Sequence, residues 1–423
     1  MPAVRLPRRR VLTACVVLAL LSVWLLASTD VALLMSEGAP IHTAAYHAAS
    51  RAWSPPSQSL PPPQLIPPAR NPSFREMPPP PKSVFHVPLG PAVVPSRAAR
   101  TLKADDRLSH INMKLASDYY FGFLKIPPYY GFEERLELIR LYKNSSNERF
   151  ERMRDGAVIY VDSYFLRNFT TDILPRINVR FVLITGDSSV CVPNCIVNKG
   201  STLKLATDPR MLHWYTSHCS GYTRFAQRIE CMPLGIDQHR TARIDMQRVY
   251  TEGIGLIDGL VPKKLDWKLV PERYLLISFQ ISTNNKTRQY PWDLFCGDNE
   301  VDPQLEEVRQ VSTCFFQKGM DKYEFYKNYL SRHPFVLSPE GYGLDCYRTY
   351  ETLLLGGYPI VLTSDLDIIF QHLPVLILQD WTDLTIDLME ETYKSFQMQK
   401  WDFSPLYVSY WAQRARSHLS SIN

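Results

Sequence analysis

The chain has 423 residues, 45% of them hydrophobic and 21% charged, and a formal net charge of +5. That is ordinary globular composition with room for two domains of common size. Residues 1–35 carry four arginines and one acid and residues 36–100 six basic residues and two acids, which leaves 101–423 near −2. A nucleic-acid face needs its positive charge in the folded part, so nucleic acid is set aside as a partner.

Arg5, Arg8, Arg9 and Arg10 precede an uncharged apolar run from Val11 to Ala27. A helix crosses a bilayer with roughly 17–25 apolar residues, and a basic flank stays cytoplasmic. The expectation is a cytoplasmic tail over 1–10, a transmembrane signal-anchor over 11–29 and a lumenal remainder. The alternative is a cleaved signal peptide, whose apolar core usually runs about 7–15 residues; the length of this run favours the anchor. Sixteen of the 33 prolines lie between residues 36 and 100. Proline fixes φ and lacks the N–H, so 30–100 is read as an extended stem.

Seven of the eight cysteines follow the stem: Cys191, Cys195, Cys219, Cys231, Cys296, Cys314 and Cys346. In an oxidising lumen they pair, and an odd count leaves one over. Spacing favours Cys219 with Cys231 and Cys296 with Cys314. "CVPNC" lacks a second ligand pair at finger spacing and is not read as a zinc site. Three sequons begin at Asn144, Asn168 and Asn285; such triplets arise often by chance and support a lumenal fate only weakly.

From residue 101 onward, short apolar runs alternate with helical stretches. "GAVIYVDSYF", "VRFVLITGD", "RIECMPLGID", "RYLLISFQIS", "HPFVLSPEG", "GYPIVLTS" and "VLILQDW" read as buried strands. "DKYEFYKNYLSR", "DCYRTYETLLLG", "TIDLMEETYKSFQMQ" and "YVSYWAQRARSHL" read as helices, the last packing back across the head. Alternation of this kind implies parallel sheets covered on both faces. The fold class is α/β, with an N-terminal domain over 101–258, a linker over 259–267 and a C-terminal domain over 268–423.

Ligands of open parallel sheets bind beyond the carboxyl ends of the strands. One strand ends at Ser338, and "PEGYGLD" follows at once. Gly341 and Gly343 allow a sharp turn and a close ligand; Asp345 suits an N-cap; Arg348 sits one turn inside and can hold a phosphate with two N–H groups. Glu351 can accept both hydroxyls of a ribose, and Glu340 at the tip is aimed at sugar hydroxyls. The plain alternative is an ion-pair row, Asp345–Arg348–Glu351, on a solvated helix face.

The run "FVLSPEGYGLDCYRTYETLLLGGYPIV", with Leu373-Pro374 and Asp380-Trp381 beyond it, resembles the C-terminal half of exostosin-like glycosyltransferases. The matching pieces are Ser338-Pro339-Glu340-Gly341, Arg348 with Glu351, and Gly356 to Val361. "FVLITGDSS", "LHWYTSHCS", "MPLGID" and "YLLISFQISTNNKTRQ" resemble upstream segments of the same proteins. The resemblance covers roughly 155–385 and is most specific over 338–381. It implies a GT-B fold, two Rossmann-like domains facing a cleft, with a nucleotide-sugar donor on the C-terminal domain and a glycan or glycoprotein as acceptor. It also puts Ser282, Thr283 and Arg288 on a loop facing the diphosphate, although a glycan on Asn285 would crowd that loop. Anchor, stem and head match by analogy the layout of a single-pass type II Golgi membrane enzyme, and a partner subunit is left open.

An inverting transferase needs a general base for the acceptor hydroxyl. Asp187, His213 and Asp237 are the candidates; each has a structural alternative, as a turn former or a packed core residue. Two other readings stand beside this one. Asp365 and Asp367 form a DxD, which in GT-A glycosyltransferases binds manganese; the GT-B reading itself requires no metal or other cofactor. The second is a non-catalytic lumenal protein that binds glycans or a partner enzyme. Convergence of Glu340, Asp345, Arg348 and Glu351 with Arg288 in one cleft discriminates against it.

Overall fold

The computed structural model describes residues 106–122, 135–141, 153–193, 199–221, 227–252, 256–257, 261–262, 273–316 and 320–420. The expected tail, anchor and stem lie outside these residues, as do Asn144 and Cys195. Among the described residues no helix is long and apolar enough to cross a membrane. Of the expected linker only Val261–Pro262 is described, paired antiparallel with Leu256–Ile257.

Two five-stranded parallel sheets form the head. The first holds β1 (Tyr119–Phe121), β2 (Ala157–Asp162), β3 (Phe181–Gly186), β4 (Met211–Thr216) and β5 (Ile229–Cys231), side by side in chain order. The second holds β6 (Leu275–Ile277), β7 (Ser312–Cys314), β8 (Phe335–Leu337), β9 (Tyr358–Leu362) and β10 (Leu376–Leu378), in the order β7-β6-β8-β9-β10. Every residue of β2, β3, β6 and β8 is buried. A sheet covered on both faces makes its strands read as continuous apolar runs, which is why they are legible. The Asp162–Gly186 register brings Asp162 and Asp187 to the ends of adjacent strands.

The helices that matter here are α1 (His110–Ala116), α2 (Lys199–Thr207), α3 (Arg240–Thr251), α4 (Asn285–Cys296), α5 (Pro303–Gln310), α6 (Lys322–Asn328), α7 (Tyr347–Leu354), α8 (Ile386–Met398) and α9 (Val408–Ser420). On α7, Tyr350, Leu353 and Leu354 are buried. Its N-cap is Cys346, not the expected Asp345; the carboxylate of Asp345 is turned away into the seam between the sheets. Gly356, at φ 86, ends the helix in a left-handed turn that a side chain would strain. The two disulfides favoured by spacing, Cys219–Cys231 and Cys296–Cys314, are formed. Cys191 is also disulfide-bonded, and Cys346 is a free thiol.

The halves share one core. Met246 and Val249 of α3 lie in the same apolar cluster as Tyr323, Phe325 and Tyr326 of α6 and Tyr350 of α7. Polar contacts reinforce it. Asp345 accepts from the Leu234 N–H (2.8 Å) and the Tyr350 hydroxyl (2.6 Å), and its own N–H donates to His218 Nδ1 (3.0 Å). The helix α9, which follows the C-terminal sheet in sequence, packs on the N-terminal one: Trp411, Ala412 and Ala415 join Ile111, Val182, Ile184 and Tyr215. Leu108 N–H donates to Leu406 O and Val408 N–H to Asp106 O, both at 2.8 Å, fastening the start of the described head to the start of α9.

Two outcomes follow from this packing. Trp411 is 3% exposed, and its indole N–H donates to Pro405 O at 2.8 Å. Trp411→Ala is expected to lower unfolding free energy by about 3–5 kcal/mol, read by chemical denaturation. Burial pushes the Asp345 carboxyl up from 3.8 to about 6. The folded state therefore holds that proton more tightly, and the contribution of Asp345 is full below 3.8 and lost as pH rises through about 6. Compared with Asp345→Asn, the native protein should gain stability as pH falls from about 7.5 to 5, in denaturation curves taken at both.

Candidate functional site

In the second sheet the chain goes from the inner strand β6 outward to β7, then crosses back to β8. That reversal is a topological switch point, where open parallel sheets form their binding crevice. The described strands of the first sheet run in order and have none. The crevice lies at the carboxyl ends of β6 and β8, where the loops 278–284 and 338–346 begin.

Arg288 joins those loops. It lies in the first turn of α4 and not in the expected loop, because the helix begins at Asn285. Its Nε donates to Glu340 O (2.9 Å), Nη1 to Gln280 O (3.0 Å) and Nη2 to Pro339 O (3.1 Å), with Cys346 Sγ at 3.7 Å. The guanidinium is 6% exposed and engaged with carbonyls; it shapes the crevice rather than reaching into it. A Cβ on Gly341 would come within 2.9 Å of Nη2, so a side chain there would require the Arg288 guanidinium to shift. Gly343 likewise abuts the imidazole of His218. Thr283 donates its hydroxyl to Gln280 O (2.8 Å) within its own turn, and Ser282 is exposed.

One flank of α7 opens on a pocket of about 340 Å³ lined by Lys286, Tyr290, Ser338, Glu340, Thr349 and Trp381, among others. Ser338 and Thr349 share a hydroxyl hydrogen bond of 2.9 Å. Burial raises the proton affinity of the Glu340 carboxyl, opposed by the charge of Arg288. Asn285, exposed at the head of α4, is next in sequence to pocket residue Lys286.

The other flank of α7 holds Arg348 and Glu351. Arg348 Nη1 bonds Glu351 Oε2 (3.1 Å), and the guanidinium lies 4.3 Å over the Phe325 ring. Glu351 is 1% exposed, so the alternative of a solvated ion-pair row does not form, and Asp345 is no part of it. The Tyr326 hydroxyl donates to Glu351 Oε1 (2.7 Å), and Lys322 Nζ stands 3.4 Å from the same oxygen. Lys322 also faces Asp237 Oδ2 of the N-terminal half at 3.6 Å. His239 Nδ1 donates to Asp237 Oδ1 at 2.6 Å. Burial alone would raise the Asp237 pKa, but the His239 hydrogen bond and the Lys322 charge outweigh it and hold it at about 2.

Asp187 ends β3 with a left-handed φ of 54°. Its carboxylate pairs with the buried ammonium of Lys114, which also meets Asp162 at 2.9 Å, and it accepts from Gln238 Nε2 at 2.9 Å. Burial opposes ionisation there, yet Lys114 and His110 keep Asp187 well below the usual carboxylate range. His110 and His218 are both buried, and desolvation lowers them to about 4 and about 3. His213 lies away from the strand ends, stacked at 4.4 Å on His418 of α9.

The DxD carboxylates brace backbone. Asp365 accepts from the Gly221 N–H (2.7 Å), and Asp367 from the Thr363 hydroxyl (2.6 Å) and the Ser364 N–H (2.9 Å). Of the expected site residues, Ser338, Glu340 and Asp345 line the pocket; Arg348 and Glu351 lie on the opposite flank of α7 beside Lys322, which also reaches Asp237; Asp187 and His213 lie elsewhere, and the convergence of Glu340, Asp345, Arg348 and Glu351 with Arg288 in one cleft does not form. Lys322, Gln238, His239, Lys114 and His218 belong to these clusters without any spacing in the sequence that announces them.

No family model and no curated protein sequence matches the chain. Among solved structures, an α,α-trehalose 6-phosphate synthase from Burkholderia multivorans is similar at 10% identity and a TM-score of 0.38, over 69% of this chain and 78% of that one. OtsA in its apo form is similar at 11% identity and a TM-score of 0.33, over 68% and 76%. A third, given as trehalose-6-phosphate from E. coli bound with UDP-2-fluoro glucose, has 10% identity and a TM-score of 0.33, over 69% and 76%. Likeness at that level says nothing of what this chain binds.

Proposed function

We propose that the chain is a glycosyltransferase of GT-B architecture, exostosin-like, that moves a sugar from a nucleotide-sugar donor to a glycan or glycoprotein. One observation carries the reading: the Ser338–Asp345 turn and the Arg348–Glu351 pair flank one helix start at a topological switch point, and Asp237 of the other half comes to Glu351 through Lys322. A helix start of this kind favours an anion, and Arg348 and Lys322 add cations beside it. A carboxylate such as Glu351 is suited to paired hydroxyls once Lys322, Tyr326 and Arg348, which hold both its oxygens, make way. Asp345 and Arg288 shape the turn. Among the three base candidates, Asp237 lies with the donor residues.

The reading includes a type II Golgi membrane protein with a lumenal head, supported by the basic flank, apolar run and proline-rich stem of the sequence. It calls for no metal, and manganese enters only with the GT-A alternative. The engaged state of Asp365 and Asp367 favours the metal-independent reading.

The test is a thermal-shift panel of nucleoside diphosphates and their sugars on the full chain. A ligand at about 100 times its dissociation constant stabilises by about 2.7 kcal/mol. One nucleotide class should raise the melting temperature, and Arg348→Ala should abolish the shift. A flat panel, with and without manganese, sinks the transferase reading and favours a glycan-binding protein.

A further inference from the structure

We infer that an anion bound in the pocket between α4 and α7 enters together with a proton from solvent, and that Glu340 takes that proton. This rests on the transferase reading above, which supplies the anion as the diphosphate of the donor. The charged groups that line the pocket are Lys286, Glu340, Asp345 and Asp380, three carboxyl groups against one ammonium. The cations of the opposite flank do not redress that balance: Arg348 is paired with Glu351, and Lys322 lies between Glu351 and Asp237. A diphosphate drawn into such a lining meets like charge, and the repulsion is relieved when one carboxylate is neutralised.

The three acids differ in what holds their charge. Asp345 accepts from the Leu234 N–H, the Tyr350 hydroxyl and the Cys346 N–H, so a proton there would displace a donor. Asp380 accepts from the main-chain N–H (2.9 Å) and the hydroxyl (2.7 Å) of Thr382, which hold its carboxyl below the usual range. Among the described residues no hydrogen bond reaches the Glu340 carboxyl. Its turn is fastened through the main-chain oxygen instead, which accepts from Arg288 Nε and, at 3.2 Å, from the Thr287 hydroxyl. Burial already favours the protonated form of Glu340, and the Arg288 charge opposes it. The charged and titratable groups around it are Arg288, Lys286 and Tyr290 of α4, Asp345 and Cys346 at the start of α7, and Asp380 beyond β10.

The proton does two things. It removes a negative charge from the wall of the pocket, and it gives Glu340 an O–H that donates to a phosphate oxygen, where the carboxylate only accepts. Binding that takes up a proton strengthens as pH falls, by up to about tenfold per pH unit for one proton.

The probe is the nucleotide sugar that gives the largest shift in the panel above; both of its phosphates are esterified and do not titrate in the range used. Binding to the full chain is measured by calorimetry from about pH 7.5 to about pH 5.5, in two buffers of different ionisation enthalpy, so that the buffer-dependent heat counts the protons taken up. The native protein should take up about one proton per ligand and bind about tenfold more tightly at the acid end. Glu340→Gln, of the same size and uncharged throughout, should bind at the alkaline end as the native protein does at the acid end, with no proton taken up. Native binding that is flat with pH and takes up no proton overturns the inference. So does a Glu340→Gln protein that still takes up the proton or that folds and binds nothing, and so does loss of the uptake in Asp345→Asn alone. Binding that requires manganese and takes up no proton overturns it as well, since the metal then neutralises the wall. A native protein that binds no nucleotide sugar at any pH removes the transferase reading and this inference with it.

Discussion

Asp345 is a carboxylate that the fold has taken out of water and surrounded with donors. It accepts from the backbone of one half and from a tyrosine and a backbone N–H of the other, while its own N–H rests on an imidazole. Removing such a group from solvent is costly unless its lone pairs are filled, so each contact has to be present for the others to be worth forming. Through these contacts the end of the 338–346 turn and the start of α7 are tied to Leu234 and His218 of the other half, beside the shared apolar core. The crevice takes its shape from the seam.

The same economy governs the arginine and lysine side chains. Arg288 is occupied by three carbonyls, Lys114 by two carboxylates and a tyrosine, and Arg348 by Glu351 and an aromatic face. Charges tied down in this way cost little reorganisation when a ligand arrives, which is how preorganised sites stabilise developing charge. Lys322 is partly exposed and held by two longer contacts, to Asp237 and Glu351.

The sequence made the sheets legible because strands buried on both faces leave unbroken apolar runs, and the four longest helical patterns in the C-terminal half fell where α6 to α9 stand. The disulfides followed from spacing. Helix α4 carries Pro291 and a polar start, which hide it; β1 and β7 were not read because three-residue edge strands carry too little pattern, and neither was the central strand β4, whose apolar run is interrupted by His213. The turn at 338–346 could be read, for its residues are contiguous. The Lys322–Asp237–His239 and Lys114–Asp162–Asp187 groups could not, since each draws on separate elements brought together only by sheet register and by the packing of α3 on α6. The burial of Glu351 rules out the solvated-row alternative, which polarity in a linear chain left open.

Helix α9 gives this architecture a temporal dimension. The face of the N-terminal sheet that carries Val182, Ile184 and Tyr215 is covered by residues 408–420. During synthesis the ribosome delivers that sheet long before its cover, at roughly 5–20 residues per second. The nascent first half thus waits with an apolar face open while some two hundred further residues emerge, and it closes only when the last helix is released. A premature stop between β10 and α9 would leave a chain with every strand of the two sheets present and that face uncovered, a species suited to chaperone capture.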